Sequence, residues 1–145
     1  MTTRTILTTL ATALLVPTLA AADPRSTLAE LPVADMKVVA PTEYRKASSL
    51  AAKGAAPVDI ALSVAGRFEG SMQHIIQVNE GVEAPSVSRV TVLRDGLLDD
   101  SVRGDRWEVS LTRTPAGVWK IAEVKRAWRC RRGGAVDQFA ATLCP

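Results

Sequence analysis

The feature that most constrains the fold is the stretch between residues 106 and 130, which contains all three tryptophans. Apolar and polar side chains alternate from Trp107 to Leu111, a pattern typical of a strand with one buried face. The sequence TPAG at residues 114–117 then predicts a tight turn, because proline presets φ and glycine tolerates a positive φ. A second strand follows from Val118. The stretch therefore predicts a β-hairpin.

The turn also predicts the register of this hairpin. If Gly117 takes the left-handed position of a type I turn with a G1 bulge, Thr114 pairs with Val118. A regular ladder would then set Val109 against Glu123, which is a poor core partner. Because the parity of the apolar residues changes after Ile121, we predict a bulge at Ala122–Glu123. The expected cross-strand pairs are Arg113 with Trp119, Leu111 with Ile121, Val109 with Val124, and Trp107 with Arg126.

The segments upstream of the hairpin predict two helices and two further strands. Thr42 can cap a helix at residues 43–53. Residues 57–68 alternate like a strand, but their alanine content and Pro57 favour a helix. Short β-rich runs at 72–78 and 87–93 predict strands, and the acidic sequence at 97–105 predicts a loop. The expected fold class is α+β, with a four-stranded antiparallel meander, one or two N-terminal helices on one face, and a C-terminal segment tied by a disulfide.

The N-terminus indicates export. Residues 1–22 combine Arg4, an apolar run and a small-residue site, which is typical of a cleaved signal peptide. The apolar run is shorter than the ~20 residues that span a bilayer, so we expect no stable membrane span in the mature chain. We expect residues 23–56 to be a tether with a short helix, residues 57–145 to form one domain, and the protein to be periplasmic or secreted.

The charge balance argues against a generic polyanion partner. Removal of residues 1–22 takes away one cation, Arg4, and no acid, so the formal net charge falls from +3 to +2. Nucleic acid would require a larger excess of cations, and we expect no nucleic-acid partner.

The two cysteines predict a disulfide. In an oxidising compartment, Cys130 and Cys144 would close a loop of about 15 residues, which the chain-entropy model values at roughly 3 kcal/mol. A redox-active pair lacks the Cys-x-x-Cys spacing. A structural zinc site usually has four Cys or His ligands, and His74 is the single histidine beside the two cysteines.

A basic run follows the second strand of the hairpin. Guanidinium groups beside an indole can hold an anionic ligand through paired hydrogen bonds and stacking. The alternative is that the tryptophan is core and the cations line a solvated strand edge. The candidate anion-binding residues are Lys125, Arg126, Trp128, Arg129, Arg131 and Arg132.

Four aspartates precede the hairpin, at positions 95, 99, 100 and 105. Their spacing matches no EF-hand loop, and nothing in the sequence brings a pair to glycosidase separation. We expect them to cap turns and to pair with Arg103, Arg106 or the basic run. The tripeptide at 103–105 spells Arg-Gly-Asp, which a turn explains without an integrin receptor.

The C-terminal half resembles a known family. The segments GLLDDSVRGDRWEVSL, VWKIAEVKRAWRCRRG and FAATLCP resemble an uncharacterised family of small exported bacterial proteins with a GLxDDSV…WRC…C pattern. The resemblance covers about residues 90–145 and implies export but no established activity. Members often carry Arg-Gly-Arg-Gly-His after the first cysteine, whereas this chain has Arg132-Gly133-Gly134-Ala135.

The sequence leaves three functions open. The leading hypothesis is an exported non-enzymatic domain that binds an anionic envelope ligand or an exported protein. The alternatives are a cell-envelope hydrolase that uses the loop aspartates and a structural envelope component. We assign no catalytic residue, cofactor or metal, because no nucleophile elbow, catalytic set or ligand spacing is present.

Overall fold

The structure, a computed structural model, describes residues 28–145, and the predicted signal peptide lies outside this range. The α+β class predicted from the sequence is confirmed. The elements in chain order are β1 (Lys37–Val38), a 3-10 helix (Pro41–Tyr44), α1 (Arg45–Ala52), α2 (Pro57–Ala65), β2 (Met72–Glu80), β3 (Val87–Asp95), β4 (Val102–Arg113) and β5 (Trp119–Cys130).

The strands form one antiparallel sheet in the order β1-β5-β4-β3-β2. The predicted meander is confirmed for β2 to β5, which pair in chain order. The predicted number of four strands is wrong, because β1 adds a fifth by pairing Lys37 with Arg126 and Val38 with Lys125. Two residues are too few to show strand periodicity, so the sequence pattern could not reveal β1.

The predicted hairpin and its register are confirmed. Gly117 has a φ of 81°, and its N–H donates to the Thr114 carbonyl at 2.8 Å. The Thr114 N–H donates to the Val118 carbonyl at 2.8 Å. Ser110 pairs with Glu123 while Leu111 pairs with Ile121, so Ala122 is the extra residue of the bulge. The four predicted cross-strand pairs are all present: Arg113 with Trp119, Leu111 with Ile121, Val109 with Val124, and Trp107 with Arg126.

The helices differ from the prediction at their ends. The first helical segment begins as a 3-10 turn at Pro41, not after a Thr42 cap, and the Glu43 N–H donates to the Ala40 carbonyl at 2.9 Å. Helix α2 ends at Ala65, three residues before the predicted end at Phe68. It ends there because Gly66 takes a φ of 73°, which is outside the helical region.

Both helices cover one face of the sheet and form the larger core. Small residues on α1 and α2 allow the helices to lie close to the strands, and Ile60 is fully buried between them. The strand side chains that point towards the helices form the other side of this core. The buried members are Val39, Tyr44, Ala47, Ala51, Ile60, Ala61, Ala65, Val90, Val92, Trp107, Val109, Leu111, Trp119 and Val124.

A second, smaller core lies on the opposite face of the sheet. It consists of Leu28, Leu93, Ala127 and Phe139. The segment around residue 33 runs beside the C-terminal tail: the Phe139 N–H donates to the Pro32 carbonyl, and the Ala34 N–H donates to the Phe139 carbonyl, both at 2.9 Å. Residues 28–56, for which we expected a tether, therefore contact both faces of the sheet, and the helical turn expected near Leu28 is present at 28–30.

The predicted disulfide is confirmed. Cys130 and Cys144 are bonded, with their Cα atoms 5.4 Å apart. Trp128 and Ala140 exchange backbone hydrogen bonds at 2.8 and 3.0 Å, so the tail lies along β5 before it reaches the bridge. The disulfide and the second core together attach the tail to the sheet.

Candidate functional site

The structure distributes the basic run over two faces of the sheet. Strand alternation puts Arg126 and Trp128 on the helix-covered face and Lys125 and Arg129 on the other. The strand itself is not a free edge, because β5 pairs with β4 on one side and with β1 and the tail on the other. The alternative reading is therefore wrong in placing the cations on a strand edge, but it is right that the tryptophan is core, since Trp128 is only 6% exposed.

Three of these cations are already engaged within the protein. The Lys125 Nζ lies 2.8 Å from Glu123 Oε2. Arg129 donates from Nε to the Val136 carbonyl at 2.9 Å. Arg131 donates to the carbonyls of Leu97 and Asp99 and so holds the β3–β4 loop. Arg132 is exposed beyond the end of the strand. The six predicted residues therefore do not form one continuous basic surface. Arg126 differs from the other cations in its surroundings, which are described next.

Arg126 belongs to a buried network centred on Asp105, which is fully buried on β4. Arg94 on β3 binds this carboxylate through two parallel contacts, Nε to Oδ1 at 2.7 Å and Nη2 to Oδ2 at 2.8 Å. The Oδ2 atom also accepts from Arg126 Nη2 at 2.8 Å and from Trp107 Nε1 at 2.9 Å. Four donated hydrogen bonds, three of them from cations, compensate for the removal of this carboxylate from water.

The ion pair of Asp105 with Arg126 agrees with the expectation that the aspartates pair with the basic run. The contacts with Arg94 and Trp107 were not predicted, because Asp105 was expected to lie in a loop. The residue lies in β4, which begins at Val102, so the turn predicted for Arg103-Gly104-Asp105 is wrong. A signal was present: Asp105 shares the parity of Trp107, Val109 and Leu111, and the alternating pattern extends one step further towards the N-terminus than we predicted. The role of Arg94 required the tertiary pairing of β3 with β4.

Two indole rings fix the orientation of the Arg126 guanidinium. Its Cζ lies 4.3 Å from the centroid of the Trp107 ring and 4.9 Å from that of the Trp128 ring. Both distances are within the range of cation–π attraction. Within residues 28–145, the Arg126 Nε is buried without a hydrogen-bond partner, yet the side chain as a whole remains 31% exposed. The ion pair with Asp105 and the two rings thus hold the guanidinium in one orientation, and a ligand can reach it only through its exposed part, because the Nε itself is buried.

Arg126 lines a pocket of about 360 Å³ between the end of α2 and the β3–β4 loop. Arg94 connects the two sides, because its Nη1 donates to the Arg67 carbonyl at 3.3 Å. At the rim, Arg67 pairs with Glu69 at 3.2 Å, and both side chains are largely exposed. The lining residues are Arg67, Glu69, Arg94, Leu97, Leu98, Asp99, Asp105 and Arg126.

The other side of the helix layer carries a larger, mainly apolar pocket of about 480 Å³ between α1 and the start of β5. Trp119 and Ile121 form much of its wall, and Arg113 stacks over the Trp119 ring at 5.7 Å. The space directly beneath α2 is filled, since Ile60 and Ala61 are fully buried. Neither of these two pockets is lined by a residue of α2, so neither opens between α2 and the sheet.

The loop aspartates act as hydrogen-bond acceptors. Asp99 accepts from the backbone N–H groups of Val102 at 2.6 Å and Ser101 at 2.9 Å. These two hydrogen bonds lower the pKa of Asp99 below its ordinary value. Asp95 lies 3.4 Å from both Arg103 and Arg129, as the expected pairing with those cations requires.

Arg106, another of the expected partners, instead binds Glu108 at 2.7 Å. In the part of the chain that the structure describes, no three His, Cys, Asp or Glu side chains are grouped closely enough to hold a metal ion. Over the same residues, no helix has the length and apolar character needed to cross a membrane.

Comparison with known proteins adds no further assignment. The chain matches no protein-family model, no curated protein sequence and no solved structure.

Proposed function

We propose that this protein is an exported, non-enzymatic domain that binds an anionic ligand, with Arg126 as the principal contact. The observation that carries the proposal is the state of this guanidinium. Asp105 and two tryptophans hold it in place, its side chain is 31% exposed, and it lines a pocket open to solvent. A pre-oriented cation loses little conformational entropy when it binds an anion.

The ligand we propose is a carboxylate or phosphate group. The pocket lining contains three arginines and three carboxylates, and each carboxylate is already engaged: Glu69 by Arg67, Asp99 by backbone N–H groups, and Asp105 by arginines. The pocket volume is near the lower end of the range for ligand sites, which suits a small ligand or one charged group of a larger envelope molecule. Arg126, whose side chain is 31% exposed, and Arg67, whose side chain is 87% exposed, are the two lining cations that can approach such a group. Arg94 serves the anion only indirectly, because Asp105 and backbone carbonyls occupy its donors.

The geometry favours binding over hydrolysis. A hydrolase that used the loop aspartates would need one carboxyl group with a raised pKa as general acid. The pKa of Asp99 is instead lowered, and Asp95 and Asp105 are held in ion pairs with arginines. Three of the four loop aspartates thus serve the structure of the loop and the sheet. The fourth, Asp100, is exposed and by itself supplies no pair of carboxyl groups for acid–base catalysis.

The disulfide supports export to an oxidising compartment, periplasmic or extracellular, because such bonds persist mainly there. Export predicts a mature chain that begins at Asp23 after removal of residues 1–22. N-terminal sequencing of the protein recovered from the periplasmic or culture fraction tests this directly.

The ligand proposal is tested by NMR titration of the wild-type protein with inorganic phosphate and, separately, with acetate. We expect saturable shifts of the Trp107 and Trp128 indole N–H signals. Arg126→Gln should weaken binding by about 10-fold or more, since a hydrogen bond to a charged group contributes about 1.5–3 kcal/mol. Arg67→Gln provides a second test at an exposed position where folding is not at risk.

Arg132→Gln is the matched control, because Arg132 is exposed and lies outside the pocket. Equal weakening by Arg132→Gln and Arg126→Gln would mean that only general charge matters. Absence of saturable shifts in the wild-type protein with either anion would contradict the proposal and favour the structural envelope role.

A further inference from the structure

The outer strand β2 lacks the features that normally protect a sheet edge. Edge strands are usually short, interrupted by proline, or charged, because their free backbone groups would otherwise pair with another chain. β2 is nine residues long, contains no proline, and has one formally charged residue, Glu80, at its end. The opposite edge differs, since β1 has two residues, one of them Lys37.

β2 also exposes apolar side chains on both of its faces. Ile75 is 41% exposed, Ile76 42% and Val78 60%. The helix layer ends at the neighbouring strand: Val92 on β3 is fully buried, whereas its cross-strand partner Ile75 is not. Among residues 28–145, no strand pairs with the outer side of β2. Within this range β2 thus combines an open backbone edge with apolar surface above and below it.

The sequence of β2 is complementary to itself when two copies run antiparallel. A two-fold axis through Ile76 sets Ile76 opposite its own copy and Val78 opposite His74 on one face. On the other face it sets Ile75 opposite Gln77 and Gln73 opposite Asn79. The two Ile76 side chains thus meet at the centre with both Val78 side chains as diagonal neighbours, and the amides of Gln73 and Asn79 meet towards the ends.

Charge is compatible with the same arrangement. Each Glu80 lies opposite Met72 of the other copy, at one end of the paired strands. The two carboxylates are then separated by eight residues, or about 26 Å along the strands, well beyond the screening length of about 8 Å at physiological salt. No like charges face each other within the nine paired positions.

We propose that β2 pairs with the β2 of a second copy of this chain, which joins the two sheets into one antiparallel ten-stranded sheet. The pairing satisfies the free backbone groups of both edges and covers Ile75, Ile76 and Val78 in part. This inference does not depend on the proposed anion site, because Arg126 lies on β5, three strands away from β2.

The test is sedimentation velocity of the purified protein over a concentration series, together with hydrogen exchange. Wild-type protein should shift from monomer to dimer as its concentration rises, with slower exchange of the β2 amides in the dimer. Ile76→Lys places two like charges directly opposite each other and should weaken dimerisation at least tenfold. Val82→Lys is the matched control, since Val82 is fully exposed in the loop after β2.

If Ile76→Lys fails to fold, hydrogen exchange still tests the proposal, because it locates the dimer interface in the wild-type protein. A wild-type protein that remains monomeric at every concentration would overturn the proposal and leave β2 free for a different partner. A dimer that persists unchanged in the folded Ile76→Lys variant, or that protects amides outside β2, would overturn it equally.

Discussion

Replacement of Asp105 by asparagine is the most informative perturbation of this fold. The carboxylate is fully buried and accepts hydrogen bonds from Arg94, Arg126 and Trp107. Asparagine has nearly the same shape but no charge, and one of its two oxygen positions becomes an NH₂ donor. That NH₂ group must point towards at least one of the donors that now bind the carboxylate.

The size of the expected stability loss follows from the burial of Arg94, the main partner of Asp105. The Arg94 side chain is only 6% exposed, so Asp105→Asn leaves a cation away from water without its counter-ion. Loss of one partner from a buried ion pair typically costs about 3–5 kcal/mol. For a domain of this size such a loss lowers the melting temperature by roughly 10–20 °C.

The assay is urea unfolding at 25 °C followed by tryptophan fluorescence, which reports on Trp107 and Trp128 beside the network. Asp100→Asn is the control, because Asp100 is exposed and should change stability by less than about 0.5 kcal/mol. In a double-mutant cycle with Arg94→Gln, the two losses should be non-additive by more than about 1 kcal/mol. A loss for Asp105→Asn no larger than that of the control would refute this account of the core.

Three further predictions concern the tail, strand β4 and the loop. Cys144→Ser should reduce the unfolding free energy by roughly 3 kcal/mol, because the bond closes a loop across a sequence separation of 14; calorimetry showing equal stability in oxidised and variant protein would contradict this. Gly104→Ala should cost about 1–3 kcal/mol, because its methyl group would overlap the Arg94 carbonyl oxygen; unchanged thermal melting would show that β4 relaxes freely. The lowered pKa of Asp99 means that its contribution to stability is present above about pH 4 and is lost as pH falls through the folded-state pKa; the Ser101 and Val102 amide signals should follow this titration in wild type and not in Asp99→Asn.

The hairpin shows how much local sequence can determine. Its turn chemistry, the alternation of apolar residues and the parity change after Ile121 are all properties of neighbouring residues. They were sufficient to predict the cross-strand pairs from Arg113–Trp119 to Trp107–Arg126, including the bulge between them. The presence of both helices was predicted, but their ends depended on the backbone angles of Ala40 and Gly66, which the side-chain pattern does not specify.

The candidate site was predicted only in part. The sequence showed that Arg126 and Trp128 have the same parity and therefore share a face. It also indicated that an aspartate would pair with the basic run, as Asp105 does with Arg126. It did not show that Arg94 would join them, because that contact depends on the β3–β4 pairing. The remaining cations of the basic run looked equivalent in sequence and were separated only by the partners that tertiary structure gave them.

The sequence by itself thus determined the elements whose signals are local: the hairpin, its register, the disulfide pair and the order of helices and strands. Tertiary structure decided the pairing of β1, the packing of residues 28–56 against the sheet and the burial of Asp105. The physical reason is that a two-residue strand, a buried ion pair and a second small core are stabilised by groups far apart in the chain. The periodicity of a single segment does not indicate which distant segment will supply its hydrogen-bond donors or cover its apolar surface.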